Sequence, residues 1–334
     1  MQVLLSVRDL RMYYKTKMGY VKAVDGISFD LDQGESLGIV GESGCGKTSI
    51  SMTILRLLPD NAEFKGGSVL FDMGNGPVDL VNLPESEMRK YRWRGISMIF
   101  QAAMNSLNPV YKVGDQIIEA IQNHFPDMPL DKARQKVAEL FTLVGLDPSR
   151  MDQYPHQYSG GMKQRAVIAM ALACDPKIII ADEPTTALDV IVQDRILKEI
   201  RKIQRKLNMA MIYISHDIAV IAEVSDKIAV MYAGKFVELA DAVTIFKQPM
   251  HPYTYGLMHA FPSTVGEKTE LVTIPGEPPN LLNPPKGCRF APRCPKADSV
   301  CSEVEPEYRE LEKNHFVACH HPVQPKEVVR FYAE

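Results

Sequence analysis

Eight residues, Gly41-Glu42-Ser43-Gly44-Cys45-Gly46-Lys47-Thr48, follow directly on the apolar run Leu37-Gly38-Ile39-Val40. Their spacing, G-x-x-x-x-G-K-S/T at a strand-to-helix junction, suits the binding of a polyphosphate. Glycine lets the backbone close in, and successive N–H groups from Gly44 to Thr48 can surround a β-phosphate. A helix predicted from about Lys47 to Leu58 points its positive end at the same anion. Lys47 is suited to neutralise the β- and γ-phosphates, and the Thr48 hydroxyl to ligate Mg2+. Ser43, Gly44, Cys45, Gly46 and Ser49 complete the predicted cradle. The strand before and the helix after argue against a merely structural glycine turn.

A second set of chemical residues ends a second apolar run. Ile178-Ile179-Ile180-Ala181-Asp182-Glu183 places two carboxylates at the carboxyl end of a buried strand. Asp182 is suited to hold Mg2+, and Glu183 to orient and deprotonate a water. Paired acids at a strand end can also simply start a helix or loop, and the upstream phosphate loop weighs against that. Gln101 ends Ile96 to Phe100, and His216 ends Ile212 to Ser215. Tyr158-Ser159-Gly160-Gly161-Met162 opens a predicted helix, Gly161 to Ala173. Ser159 and the two glycines can cap that helix or form a second anion site from N–H groups and a hydroxyl. Residue chemistry alone leaves both open.

These groups need a scaffold. Strands are predicted at Val3–Val7, Ile27–Leu31, Ser36–Val40, Ser68–Phe71, Ile96–Phe100, Lys177–Ala181 and Met209–Ser215. A mostly helical stretch runs from about Val113 to Gly145, and an amphipathic helix from Val190 to Leu207. Strands alternating with helices argue for a doubly wound α/β core, whose ligands bind beyond the carboxyl ends of the strands. At 334 residues there is room for about two domains. A net charge of −3 gives no hint of a nucleic-acid partner. No apolar run reaches the length of a membrane span, and Met1 to Leu10 reads as a strand rather than a signal peptide. The expectation is a cytoplasmic protein with reduced thiols.

The full set resembles the ATP-binding-cassette (ABC) ATPases. Walker A, a glutamine loop, a Ser-Gly-Gly signature, Walker B with a trailing glutamate, Thr186-Ala187-Leu188-Asp189 and a histidine occur in that family's order over about residues 1–260. The resemblance implies an α/β P-loop NTPase core with antiparallel β and helical subdomains, followed by a Pro/Cys-rich C-terminal extension. The nucleotide-binding domain would be 1–262, with a helical subdomain of about 102–170, and the extension 263–334. It further implies a head-to-tail dimer with a second, identical or homologous ATPase subunit. ATP would lie between Walker A of one subunit and Ser159, Gly160 and Gly161 of the other, with Asp189 crossing the interface. Gln101 would join the Mg2+ and water shell, and His216 would contact the γ-phosphate. Tyr14 looks like the aromatic that stacks on adenine, with Tyr13 and Tyr20 as rivals.

A narrower resemblance spans nearly the whole chain. Gly41 to Lys47, Ser106-Leu107-Asn108-Pro109, Tyr158 to Met162, His251-Pro252-Tyr253-Thr254 and the proline-rich tail ending in cysteines are similar to the dipeptide/oligopeptide/nickel importer ATPases. That implies two transmembrane permease subunits, contacted near Gln101 to Tyr111, an extracytoplasmic peptide-binding protein, and a peripheral place on the cytoplasmic face of the cell membrane. A nickel importer ATPase and a soluble, non-transport cassette ATPase are the alternatives. Tyr158 and Met162 depart from the commoner Leu and Gln, and Met162 cannot supply an amide hydrogen bond. Thr186 replaces the usual serine and keeps its hydroxyl.

Five prolines between Pro275 and Pro285 exclude helix and introduce a cysteine cluster, Cys288-x5-Cys294-x6-Cys301-x17-Cys319. Four thiols in a reducing compartment suit tetrahedral zinc or an iron–sulfur cluster. Members of the importer family carry a 4Fe-4S cluster here, so the resemblance favours that cluster, with zinc as the alternative. His320 and His321 are alternative ligands. Cys45 and Cys174 read as a loop filler and a core residue.

Overall fold

The structure, a computed structural model, describes residues 2–101, 106–185, 189–260 and 273–331. In chain order the strands are β1 (Val3–Thr16), β2 (Gly19–Asp32), β3 (Ser36–Val40), β4 (Ala62–Asp72), β5 (Pro77–Asp79), β6 (Ile96–Ile99), β7 (Ile178–Asp182), β8 (Ala210–Ser215), β9 (Lys227–Tyr232), β10 (Lys235–Asp241), β11 (Arg309–Glu312) and β12 (His315–Val317). The helices are α1 (Lys47–Ile54), α2 (Glu85–Tyr91), α3 (Val113–His124), α4 (Leu130–Leu143), α5 (Gly160–Leu172), α6 (Val190–Leu207), α7 (Ile218–Val224), α8 (Ala242–Lys247), α9 (Pro252–His259) and α10 (Ser299–Glu303). The chain divides into two units. One comprises Met1–Leu5, Asp30–Ser36 and Leu70–Ile214, the other Ser6–Phe29, Leu37–Val69 and Ser215–Glu334.

In the first unit, β6, β7 and β8 are parallel, with Ile96 opposite Ile178 and Ile178 opposite Ala210. Every residue of β7 is buried, which is why it reads as an unbroken apolar run. Each isoleucine so buried contributes about 1.5–3 kcal/mol of transfer free energy. Helix α6 buries Ile196, Leu197, Ile200 and Ile203 along one stripe. Asn208, in the left-handed conformation, closes it. Helices α3 and α4 bury Ile117 and Ile121, and Val137 and Phe141. The Arg165 guanidinium ties α5 to its neighbours through the Val144 carbonyl (2.5 Å) and Glu199 (2.7 Å). Cys174 is buried just after α5, as expected of a core residue.

In the second unit β3 runs parallel to β9, with Val40 opposite Val230. Helix α7 lies so close to β3 that a Cβ on Gly38 would stand 2.1 Å from the Ile221 side chain. Beyond β9 the sheet turns antiparallel, through β10, β12 and β11. The C-terminal hairpin β11–β12 therefore extends the sheet beyond β10. Glu238, fully buried in β10, accepts the Met250 and His251 N–H groups and pairs with His315 Nε2 at 2.7 Å.

Three local expectations change. The predicted strands Val3–Val7 and Ile27–Leu31 are parts of a long hairpin, β1–β2, turned at Lys17-Met18. Helix α1 stops at Ile54 rather than Leu58, because Arg56 takes a positive φ of 53°. The strand predicted at Ser68–Phe71 begins six residues earlier, at Ala62.

Candidate functional site

The phosphate loop lies in the second unit. Two glycines show why it needs that residue. A Cβ on Gly46, at φ 108°, would stand 2.0 Å from the Ala23 carbonyl oxygen of β2. Gly44, at φ 78°, has no atom within 4 Å of where its Cβ would be, so its backbone faces open space. Helix α1 has Gly46 as its N-cap and no side-chain cap, which leaves its first N–H groups free for an anion. Lys47 is buried, and its ammonium donates to the Gly41 and Glu42 carbonyls at 2.7 and 3.0 Å. Ser43, Gly44 and Thr48 are exposed. Cys45 is buried beside Lys47; burial pushes its thiol pKa up, and Lys47 offsets part of the shift. That is the setting of a loop filler rather than a reactive thiol.

Of the three candidate aromatics, Tyr14 reaches the loop helix: its hydroxyl lies 3.0 Å from Ser49 Oγ. Tyr13 donates to Asp25, and Tyr20 donates to Glu63 under the Lys65 ammonium. His216 is exposed after β8. Asp217 next to it caps α7 and donates its own N–H to Ser215 Oγ, so the backbone on both sides is fixed.

In the first unit Asp182 is buried at the end of β7. Glu183 follows at φ 45°, a conformation uncommon for glutamate, and its N–H donates to the Ile214 carbonyl at 2.8 Å. Backbone strain of this kind concentrates at functional positions. Gln101 donates its amide to Glu183 Oε2 at 2.8 Å. The structure thus brings together two residues 82 positions apart in sequence. Ser159 and Gly160 are exposed at the start of α5, where Ser159 Oγ accepts the Met162 N–H at 3.3 Å. Asp189 caps α6 by accepting the Val192 N–H at 2.9 Å. Tyr158 is buried and donates to the Arg150 carbonyl. Thr186, Ala187 and Leu188 lie outside the described residues.

The cysteine cluster also lies in the second unit. Cys288, Cys294, Cys301 and Cys319 are all free thiols. The Cys288 N–H donates to the Cys301 carbonyl at 2.7 Å, and Asp298 caps α10 at the Cys301 N–H. Burial pushes Cys294 up to about 11 and Cys319 up to about 12, and the charge of the other cysteines adds to both. Four free thiols in one short segment are a donor set whose chemistry suits zinc or an iron–sulfur cluster. His321 pairs with Asp298 at 2.8 Å, and their polar atoms and Cys301 Sγ lie within 4.8 Å of one another. His320 bonds the Val304 carbonyl.

Comparison with known proteins decides what these parts belong to. Residues 24–186 match the family model "ABC transporter", and residues 237–301 match "Oligopeptide/dipeptide transporter, C-terminal region". Over 96% of its length the chain is 49% identical to the dipeptide transport ATP-binding protein DppD of Bacillus subtilis (strain 168), covering 95% of that protein. The chain belongs to the ABC transporter family. The cassette is also 46% identical to the oligopeptide transport ATP-binding protein OppD of Escherichia coli (strain K12), over 96% of its own length and 94% of that relative. Its fold matches a dimeric ATP-binding cassette solved in a post-hydrolysis state with ADP and Pi, at a TM-score of 0.63 and 25% identity. That match covers 71% of the cassette and 98% of the solved chain. The α/β P-loop fold of the ABC ATPases is therefore the fold of this chain. Among the described residues, no helix is long and apolar enough to cross a membrane.

Sequence reasoning passed over Glu42, Tyr232 and Arg293 in the cassette. Glu42 sat inside the motif as a variable letter. Its partner Arg293 stands 251 residues away among the cysteines, and no local pattern connects them.

Proposed function

We propose that the cassette is the energy-coupling subunit of a dipeptide or oligopeptide importer, hydrolysing ATP to drive transport. The observation that carries the nucleotide reading is the uncapped start of α1 behind a glycine loop, with the buried Lys47 ammonium held against that loop. ATP phosphates would lie against the N–H groups of Gly44 to Thr48. Lys47 would exchange its two carbonyl partners for β- and γ-phosphate oxygens. The Tyr14 ring, fixed beside α1, would stack on adenine. Thr48, Gln101 and Asp182 would hold Mg2+, which supplies positive charge against the phosphates.

Glu183 is the general base in this reading. It takes the proton of a water that attacks the γ-phosphorus in line, while the bond to the bridging oxygen breaks and ADP leaves. The Gln101 amide holds the Glu183 carboxylate in place. His216 meets the γ-phosphate, as do Ser159, Gly160 and Gly161 of the partner subunit, whose helix end stabilises the transferred charge. Asp189 reaches across the dimer interface. Because both half-sites hold one anion, ATP closes the dimer and hydrolysis reopens it.

The closing movement would be passed to two permease subunits on the cytoplasmic face of the membrane. Val110 and Tyr111, exposed at 69% and 58%, suit such a contact beside the glutamine loop. An extracytoplasmic peptide-binding protein would deliver solute. Cys288, Cys294, Cys301 and Cys319 would hold a 4Fe-4S cluster, with zinc as the alternative; either would supply positive charge against the four thiolates. Affinity purification from solubilised membranes tests the transport reading. It predicts two permease subunits and a peptide-binding protein with the cassette; ribosomal or DNA components in their place would contradict it.

A further inference from the structure

The His251-Pro252-Tyr253 motif and the cysteine segment have no part in the reaction described above, yet both end on one residue of the phosphate loop. All three polar groups of Glu42 are engaged. Its N–H donates to the Tyr253 hydroxyl at 3.0 Å, and its carbonyl accepts from Lys47 at 3.0 Å. Its carboxylate takes a two-pronged contact from the Arg293 guanidinium, at 2.9 and 3.1 Å. Arg293 is 7% exposed and donates also to the Pro275 carbonyl (2.8 Å) and the Tyr232 hydroxyl (3.3 Å).

The support beneath this contact is rigid. Phe290, Tyr232 and Tyr253 are buried against one another, with ring centroids 4.6 to 5.3 Å apart. His251 caps α9 by accepting the Tyr253 N–H on Nδ1, which fixes the tyrosine. Phe290 and Arg293 both belong to the short loop between Cys288 and Cys294. Whatever holds those two thiols holds the loop that carries the arginine.

We propose that Arg293 is a positioning residue for nucleotide binding, and that the cysteine centre acts on ATP affinity by fixing it. The reasoning is electrostatic. Glu42 puts a negative charge inside a loop that must accept a triphosphate, beside the Lys47 ammonium that the phosphates need. A bidentate guanidinium neutralises that carboxylate and directs it away from Lys47. Without Arg293 the carboxylate repels the ligand and competes for the Lys47 ammonium.

The inference rests on the ATP-site reading and is tested by equilibrium titration of the full chain with a fluorescent ATP analogue. Arg293→Ala is expected to weaken binding about tenfold, a 1.4 kcal/mol effect. Arg293→Lys keeps the charge without the fork and is expected to fall between. Glu42→Gln in the Arg293→Ala background is expected to restore most of the affinity, because it removes the unpaired charge. A merely structural role for Arg293 would give additive losses and no such rescue. Cys294→Ser should weaken binding in the parent protein and add nothing to Arg293→Ala. Native affinity in Arg293→Ala, or failed rescue by Glu42→Gln, overturns the positioning role; native affinity in Cys294→Ser overturns the link to the cysteines. Should Arg293→Ala not fold, Arg293→Lys with and without Glu42→Gln carries the same comparison. An unmodified chain that binds no nucleotide would instead refute the underlying ATP site.

Discussion

Two alanine substitutions in one loop should separate the fold of the phosphate loop from its use. At Gly46 the backbone sits at φ 108° and a methyl group would stand 2.0 Å from the Ala23 carbonyl oxygen and 2.8 Å from the Met231 side chain. The backbone penalty is about 1–2 kcal/mol. The overlap with a strand carbonyl adds about 1–3 kcal/mol, since β2 must shift to relieve it. Gly46→Ala is therefore expected to destabilise by about 2–5 kcal/mol, the sum of these ranges. At Gly44 the backbone strain is comparable, but nothing lies within 4 Å of the added carbon. Gly44→Ala should cost only about 1–2 kcal/mol. Its methyl group nevertheless projects from the exposed face of the loop, where N–H groups must approach a phosphate. ATP binding should fall at least tenfold in Gly44→Ala although it loses less stability than Gly46→Ala, an effect above about 1.4 kcal/mol. Urea denaturation followed by tryptophan and far-UV signals gives the first quantity, and nucleotide titration the second. Equal stability of the two variants, or native ATP affinity in Gly44→Ala, would refute the reasoning.

Three further outcomes follow from the same geometry. Tyr14→Ala should raise the KM for ATP and Tyr14→Phe should leave it near native, while Tyr20→Ala does neither; steady-state ATPase kinetics decide it. His251 is fully buried, and burial lowers its pKa from 6.5 to about 3. The unfolded chain therefore binds the extra proton first. The stability from keeping His251 neutral is complete above pH 6.5 and is lost as pH falls toward 3, by up to about 1.4 kcal/mol per pH unit. Melting temperatures over that window should fall less steeply in His251→Gln than in the parent. Finally, anaerobically purified protein should be brown, and Cys288→Ser, Cys294→Ser, Cys301→Ser or Cys319→Ser should remove the colour. Colourless protein with stoichiometric zinc by elemental analysis would reject the iron–sulfur cluster and support zinc.

What the sequence makes legible here is what local chemistry determines. Helix α6 spans Val190–Leu207, the predicted range, because an apolar stripe, an aspartate cap and a left-handed asparagine all act within one segment. Strand β7 is legible because all of it is buried and its composition is uniform. The outer halves of β1 and β2 are not: Lys15 and Thr16 are exposed, and pairing across the hairpin rather than burial keeps them extended. The same holds for β11, where Arg309-Glu310-Leu311-Glu312 has no apolar alternation and pairs with β12 beyond β10. At the site, residue types and order announce the phosphate loop. The Gln101–Glu183 contact and the Arg293–Glu42 pair arise only when distant segments meet. A single chain carries no signal for either pairing, since each residue has an ordinary solvent-facing reading of its own.

The central claim is that ATP is gripped jointly by two subunits of this kind and that Glu183 is the base that ends the grip. Size-exclusion chromatography with multi-angle light scattering on Glu183→Gln, with and without Mg2+ and ATP, tests it most directly. The account predicts monomers without nucleotide and, with it, a stable dimer that retains unhydrolysed ATP. Continued hydrolysis by the variant, or an assembly state indifferent to ATP, would contradict it.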